Sequence, residues 1–217
     1  MIREKQERAH VNIWVVIWAL IAIIILGSSG WSYWLLFRQK NTWAALSRKY
    51  SMTFVRGGLS SPPEAKGLMR KDLLVTLYTE QQALRDGRSQ RYRNVILIEA
   101  PFGLPGGGAV ATAPALKAYI MQQKLKEDFT PDAPQWPKEA LFRTLNAALL
   151  APNMTPDRLK VLQTLLNMPN ADTMVIFNEQ TLFLRLETAD PLADLKKLEN
   201  LLNKLFTVVD TLRPAVG

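Results

Sequence analysis

An uncharged apolar stretch near the N-terminus constrains this chain more than any other feature. No charged side chain occurs over residues 11–37, and residues 13–26 are almost wholly Val, Ile, Leu, Ala and Trp. A helix that crosses a bilayer needs about 20 such residues at about 1.5 Å rise each. The sequence therefore predicts a transmembrane helix. Aromatic rings, which favour the headgroup zone, mark its two ends as interface anchors: Trp14, Trp18, Trp31, Tyr33 and Trp34.

A cleaved secretory signal is the alternative interpretation of the same stretch. The small residues "LGSSG" follow a hydrophobic core of about signal-peptide length. Cleavage there would leave the apolar "WSYWLLF" at a new N-terminus, so the uncleaved anchor is favoured. The patch Gly27, Ser28, Ser29 and Gly30 could also let a neighbouring helix approach closely in lipid.

The positive charge is concentrated in the part of the sequence that follows the apolar stretch. The chain has a net charge of +8, and residues 38–93 contain 12 Lys and Arg against 4 Asp and Glu. Residues 94–217 contain 12 against 13. A basic flank beside an anchor is expected to meet anionic headgroups, which disfavours nucleic acid as the partner. The predicted lipid contacts are Arg38, Lys40, Arg48 and Lys49.

The orientation of the predicted helix depends on the cations at its two ends. Arg3, Lys5 and Arg8 precede it, against the four cations just named after it. The count slightly favours a cytoplasmic C-terminal domain.

The rest of the chain predicts one α+β domain with antiparallel β-hairpins, covered by α-helices and closed by a long C-terminal helix. Residues 41–51 predict a short separate helix, capped by Asn41 or Thr42, with Trp43 and Leu46 on one face. The predicted divisions are a tail over 1–10, the helix over 11–37 and a soluble domain over 38–217. Within that domain the predicted parts are a basic helix plus strands (38–100), a loop-rich part with one helix (101–137), a helical hairpin (138–168), a β-hairpin (172–188) and a long helix (190–213).

The stretch "GRSQRYRNVILIEAPFGLPGGG" gives the candidate binding site. Its apolar run predicts a central strand covered on both faces. Arg88, Arg91 and Arg93 stand at the open end of that strand and form a candidate anionic-ligand site, to which Lys71 could contribute a further cation. In the alternative interpretation, Arg91 and Arg93 pair with Glu80 and Glu99 across the sheet.

A seam of apolar residues at heptad spacing runs along the predicted C-terminal helix. It offers a candidate contact surface for a second copy or a partner, although most such stripes pack on their own sheet. The seam consists of Leu195, Leu198, Leu202, Leu205, Val209 and Leu212.

The sequence predicts no catalytic, metal or cofactor site. There is no cysteine, and the one histidine, His10, precedes the apolar stretch, which excludes Ser-His-Asp and Cys-His catalysis in the domain. "GLPGGG" lacks the Gly-Lys-Ser/Thr ending of a phosphate loop. A DNA-binding helix-turn-helix is disfavoured because its second helix offers only Arg158 and Lys160 as cations. Glu80 and Glu99 could form a hydrolase carboxylate pair only if they are adjacent.

The order of "FRQK", "WAAL", "KGLMRKDLLVTL", "RYRNVILIEAPFGLP" and "MVIFNEQTLFLRLET" resembles a loose class of uncharacterised bacterial single-pass membrane proteins with a domain of unknown function. The resemblance implies an inner-membrane protein with a cytoplasmic domain and brings no activity with it. The run "FRQK" departs from the denser arginine cluster common in that class.

These observations predict a non-catalytic, membrane-anchored accessory or scaffold subunit of a bacterial inner-membrane complex. The expected partners are the bilayer and a membrane protein or a second copy of the chain. The alternative is a membrane-tethered sensor of an anionic ligand or lipid headgroup, and the least favoured function is a histidine-free hydrolase.

Overall fold

The computed structural model describes residues 4–70, 72–83 and 90–214. Lys71 and Arg88, both named above, lie outside these ranges. The helices and strands are, in chain order, α1 Glu4–Lys49, β1 Thr53–Val55, β2 Glu64–Met69, β3 Leu73–Ala83, β4 Gln90–Ala100, β5 Gly108–Ala111, α2 Pro114–Gln122, β6 Glu127–Asp128, β7 Leu141–Thr144, α3 Ala147–Leu150, α4 Pro156–Leu166, β8 Ala171–Phe177, β9 Leu182–Thr188 and α5 Leu195–Leu212.

The described strands form one antiparallel sheet of nine, in the order β1-β2-β3-β4-β9-β8-β5-β7-β6. The β8–β9 hairpin lies between β4 and β5, which separates two strands that are adjacent in sequence. The predicted α+β class, with hairpins covered by helices and a long C-terminal helix, is confirmed.

Alternation along each strand decides which face of the sheet is covered. Leu73, Val75 and Leu77 of β3 are fully buried on the core face, which the end of α1, α4 and α5 cover. On the opposite face, α2 covers β5 and β8 through Leu116 and Ile120. The rest of that second face, over β2, β3, β4 and β9, has no helix packed on it among the described residues.

The prediction of a short separate helix over residues 41–51 is wrong. α1 continues unbroken from Glu4 to Lys49, and its last turns enter the core, where Trp43 and Leu46 are fully buried. Asn41 and Thr42 therefore lie inside a helix and cap nothing. The predicted apolar face is correct, but no break precedes it, because no Gly or Pro interrupts residues 31–49.

The heptad seam of α5 packs inside the domain and is not an open contact surface. Leu198, Leu202, Leu205, Val209 and Leu212 are fully buried, and Leu195 is half-buried. Burying five such side chains stabilises the fold by on the order of 10 kcal/mol, so the seam is not available to a second copy without unfolding. The structure therefore agrees with the alternative interpretation, in which the apolar stripe packs inside its own domain.

The predicted helical hairpin over 138–168 is half wrong. β7 occupies Leu141–Thr144 and pairs with β5 and β6, while a single helical turn, α3, follows it. Phe142 is buried between Phe129, Trp136 and Phe177. These aromatic contacts override the helical spacing of the local sequence. The second predicted helix is α4, which begins at Pro156 and is capped by Thr155.

The glycine-rich break in "PFGLPGGG" serves close backbone packing. A Cβ at Gly103 would lie 1.7 Å from the carbonyl oxygen of Asn178 in the β8–β9 turn, so only glycine fits there. The N–H of Leu104 donates to that same oxygen at 2.8 Å. β5 then begins at Gly108, a strand that the prediction of a loop-rich segment over 101–137 missed.

Candidate functional site at the base of the apolar helix

A buried polar junction ties α1 to the sheet. Gln39 of α1 donates to the Asn94 side-chain oxygen at 2.8 Å. Asn94 also accepts from Thr79 at 2.8 Å and donates to the carbonyl of Asp190 at 2.7 Å. Because Gln39 and Asn94 are buried, this network fixes the depth of α1 against the sheet.

A second bond anchors the segment that leads from β9 to α5. The indole N–H of Trp43 donates to the carbonyl of Leu192 at 3.2 Å, and both residues are buried. The apolar helix and the domain are thus joined by packing and hydrogen bonds, with no linker between them.

α1 runs antiparallel to β3, which sets the direction of the β3–β4 hairpin. Gln39 contacts Asn94, which pairs with Thr79 of β3. Met52 lies further along the chain and packs against Gly67, which pairs with Val75, a residue closer to the start of β3. Moving back toward the apolar part of α1 therefore means moving toward the end of β3. The two strands continue four residues past Thr79 and Asn94, about 14 Å.

The end of this hairpin stands clear of the core. We call residues 80–83 and 90–93 the arm. Tyr92 lies on the same face of β4 as Asn94 and Ile96, yet its side chain is 65% exposed. Arg91 is exposed as well, and among the described residues it forms no ion pair. An exposed Tyr beside an exposed Arg suits the headgroup level of a bilayer.

The loop between β1 and β2 reaches the same end of the domain. Lys40 donates to the carbonyls of Gly58 and Leu59, the latter at 3.3 Å. Leu59 is 79% exposed and lines a small cavity together with Tyr33, Phe37 and the exposed Arg56. The sequence analysis missed this loop, since nothing in "RGGLSS" places it beside the apolar helix. We use the name base surface for five exposed residues on the elements that extend toward this end of the domain: Arg38, Arg56, Leu59, Arg91 and Tyr92.

Of the predicted lipid contacts, only Arg38 lies at the base surface. Its guanidinium stacks 4.9 Å over the ring of Trp34. The Lys40 ammonium is bound by backbone carbonyls and the residue is only 6% exposed, so the prediction for Lys40 is corrected. Arg48 and Lys49 lie about 15 Å further along α1, because the helix is continuous, and Lys49 pairs with Glu199 at 2.6 Å.

The predicted arginine cluster is divided by the sheet. Arg93 pairs with Asp172 of β8 at 2.7 Å and is mostly covered, so it is not free for a ligand. Arg91 remains exposed, and Arg88 lies outside the described residues. Neither arginine pairs with Glu80 or Glu99 as the alternative supposed. Glu80 is bound by Arg185 of β9, a residue that the sequence analysis did not single out.

Arg185 is the centre of a charged network on the second face. It donates to Glu187 at 2.7 Å and to the Tyr78 hydroxyl at 3.0 Å. Burial lowers the pKa of Arg185, but the hydrogen bond and charge of Glu187, together with the charges of Tyr78 and Glu80, outweigh burial, so the pKa is raised and Arg185 stays charged. Burial also raises the pKa of Tyr78. The network is therefore internally satisfied and stabilises the sheet.

The hydrolase hypothesis fails on the register of the sheet. Glu80 lies opposite Arg93 and Glu99 lies opposite Leu74, six positions apart along β3, about 20 Å. Paired glycosidase carboxylates lie within about 10 Å of each other. Within the described residues, no group of three potential metal ligands is found either.

The DNA-binding helix-turn-helix alternative depended on Arg158 and Lys160, and Arg158 is not available to contact DNA. Arg158 is buried and donates to the carbonyls of Asn153 at 2.7 Å and Arg213 at 2.8 Å, so it fastens the end of α5. Burial lowers its pKa. Arg158 is therefore a structural residue.

No protein-family model matches this chain, and no curated protein matches it. Among solved structures, one match is the mycobacterial trehalose monomycolate transport factor A, at 11% sequence identity over 84% of this chain and 98% of that chain, with a TM-score of 0.46. A likeness at this level supports no inference about function. The resemblance to bacterial single-pass proteins stays a prediction, and function has to be argued from the base surface and the junction.

Proposed function

We propose that this chain is a non-catalytic, single-pass membrane protein whose domain is held rigidly at the bilayer surface and serves as an accessory or scaffold subunit of a membrane complex. The observation that carries the proposal is the continuity of α1. Among the described residues, one helix is long and apolar enough to cross a membrane, with a mean hydropathy of 2.4 over an 18-residue stretch, and its last turns are part of the domain core. Such an arrangement presents a surface at a fixed height and rotation above the bilayer.

The same continuity supports an anchor over a cleaved signal. Cleavage after "LGSSG" would remove the apolar part of α1 and leave exposed Trp31, Trp34 and Phe37 on the remaining helix. The intact chain has a mass of 24.5 kDa. Mass spectrometry of the protein from membranes should give that mass, and a chain about 3 kDa lighter contradicts the anchor. A reporter fused after Gly217 determines the side of the membrane, for which we propose the cytoplasm.

The uncovered part of the second face supports an interaction role. Leu68 is 61% exposed, and a row of neighbouring residues across β2, β3, β4 and β9 joins it through Leu74 and Glu99 to Phe183. Leu74 and Phe183 are half-buried, and Glu99 lies between them, so the row is a partly exposed apolar strip with one charge, and we take it as a candidate contact surface. This face replaces α5, whose seam is buried, as the place to look for a partner.

Photo-crosslinking from the second face tests the accessory role. A photo-reactive residue at Leu68 in the full chain, expressed in its native membrane, should give one discrete crosslinked product with a membrane protein or a second copy. Thr207, exposed on α5, is the matched control position and should give none. A strictly monomeric protein without crosslinks at Leu68 contradicts the proposal.

A second candidate function, contact with anionic headgroups, is favoured by the direction of the arm. Under the anchor proposal, the arm extends back toward the bilayer and carries the exposed Arg91 and Tyr92 with it. A fluorophore at Tyr92→Cys in nanodiscs should be quenched by headgroup-attached quenchers, whereas one at Thr207→Cys should not. The chain has no native cysteine to interfere.

The charges of Arg91 in the arm and of Arg88, which lies between the two strands of the arm in sequence, give the selective test. R88Q/R91Q should reduce quenching in nanodiscs with anionic lipid, and added salt should do the same in the unmodified chain. The exposed pair K160Q/K204Q serves as a charge-matched control. Equal quenching at Tyr92 and Thr207, or no effect of R88Q/R91Q, contradicts the headgroup contact.

A further inference from the structure

A cavity of about 420 Å³ lies between α1, the loop after α4 and the segment that leads into α5. Its volume is within the range of small-molecule sites, about 300–1,000 Å³. One part of its wall is apolar: Leu35, Met168, Leu186, Leu192 and Leu201.

Four charged side chains line the same cavity. Two are cations, Arg38 and Lys197, and two are carboxylates, Asp190 and Asp194. Among the described residues, none of the four takes part in an ion pair. Two charges of each sign around one cavity, unpaired with each other, match a ligand that carries both signs.

The two carboxylates have defined positions. Asp190 accepts from the N–H of Leu192 at 2.7 Å, and Asp194 accepts from the N–H of Lys197 at 2.9 Å as the N-cap of α5. Each of these bonds occupies one carboxylate oxygen, and a carboxylate accepts several hydrogen bonds. Both groups therefore keep acceptor capacity for an ammonium group.

Backbone strain is concentrated in the wall. Leu192 and Asn170 both line the cavity with positive φ, 51° and 57°. This conformation is unfavourable for leucine and recurs where a protein shapes a ligand site. Trp43 fixes the Leu192 carbonyl, and Thr188 donates to the Asn170 carbonyl at 3.0 Å. The wall is thus held in place by the helix that carries the domain.

The cavity borders the bilayer in the proposed arrangement. Arg38 stacks on Trp34, and Leu35 is one turn of α1 beyond Trp31. A ligand entering from the headgroup zone would meet the charged residues and the apolar wall together, as an amphiphile requires.

We propose that this cavity binds one phospholipid with a phosphoethanolamine headgroup. Arg38 and Lys197 bind the phosphate, Asp190 and Asp194 bind the ammonium, and part of an acyl chain covers the apolar wall. A phosphocholine lipid has no N–H to donate to the carboxylates, and a phosphoglycerol lipid has no cation for them. This inference rests on the proposed insertion of α1 in the bilayer.

Native mass spectrometry of the full chain in mild detergent tests the site. With phosphatidylethanolamine, phosphatidylcholine and phosphatidylglycerol of matched acyl chains, we expect one bound phosphatidylethanolamine, retained about tenfold or more over the others, because a single charge-assisted hydrogen bond is worth roughly that factor. D190N/D194N keeps an acceptor for each backbone N–H, and Asn is an equally good N-cap, so the fold is retained while the preference should disappear. R38Q/K197Q should lose both phosphatidylethanolamine and phosphatidylglycerol.

The control variant E179Q/K204Q removes one exposed charge of each sign away from the cavity and should bind like the unmodified chain. Equal retention of the three lipids, or a preference that survives D190N/D194N, overturns the proposal. Glycerophosphoethanolamine, which lacks acyl chains, should not be retained, and tight binding of it contradicts a lipid ligand. The spectrum also gives the mass of the chain, which separates failure of this site from cleavage of the anchor.

Discussion

Replacing Trp43 by alanine should destabilise the whole domain, although Trp43 belongs to the helix that carries the apolar segment. Its side chain is fully buried, and its indole N–H bonds the carbonyl of Leu192. Truncating a buried Trp to Ala costs about 3–5 kcal/mol. A domain of this size has a free energy of unfolding of about 5–15 kcal/mol, so the loss is about a fifth of the total or more. Trp43→Phe keeps most of the ring and should cost about 1 kcal/mol through the lost hydrogen bond.

The assay is urea unfolding of the full chain in detergent, followed by circular dichroism and by resistance to proteolysis. Trp31→Ala is the matched control, because Trp31 lies on the same helix but is 60% exposed. It should change the free energy of unfolding by less than about 0.5 kcal/mol. If Trp43→Ala and Trp31→Ala have equal effects, the end of α1 is not part of the core and the reasoning fails.

Three further predictions concern the sheet. Arg185→Met should lower the free energy of unfolding by about 3 kcal/mol, because Glu187 is only 2% exposed and loses its cation. Glu80→Gln, at a more exposed position, should lower it by less than about 1 kcal/mol. Equal losses in the two variants contradict the proposed charged network. Gly103→Ala should cost about 1–3 kcal/mol or prevent folding, whereas Gly58→Ala, with only an ordinary contact at 3.6 Å, should be tolerated. Burial, supported by the charges of Glu80 and Glu187 and opposed by Arg185, raises the pKa of Tyr78 above its unfolded value of about 10. The stability that comes from keeping Tyr78 protonated is present below that pH and is lost as the pH rises through the folded pKa. Tyr78→Phe should therefore remove the fall in the free energy of unfolding above about pH 10. A pH profile of stability that is the same in Tyr78→Phe and the unmodified chain contradicts this assignment.

Local patterns predicted most of the strands and the covering helices. The apolar run after Arg93 identified β4 as a central strand, and the β-hairpin predicted over 172–188 is formed by β8 and β9. The sequence could not predict β7, because "LFRT" becomes a strand only through its partners β5 and β6. Nor could it predict the order of the sheet, since β8 and β9 insert between strands that precede them in the chain.

The candidate site was predicted only in part, for a related reason. Arg91 was identified from its neighbours in sequence, but the partners of Arg93 and Glu80 come from β8 and β9, about 80 to 105 positions away. The cations near the apolar stretch in sequence are spread along α1 in space, so only Arg38 lies at the base surface. Asp190, Asp194 and Lys197 carry no signal until the fold brings them beside Arg38.

The claim that one rigid helix carries the domain from the bilayer is tested most directly by a spin-label distance. The cysteine-free chain accepts labels at Ser29→Cys and Arg48→Cys, both exposed on α1. In nanodiscs, an unbroken helix predicts a narrow distance distribution at about 28 Å, from 19 residues at 1.5 Å each. A broad or shorter distribution means that the chain bends or unwinds between the apolar segment and the domain, and contradicts the account.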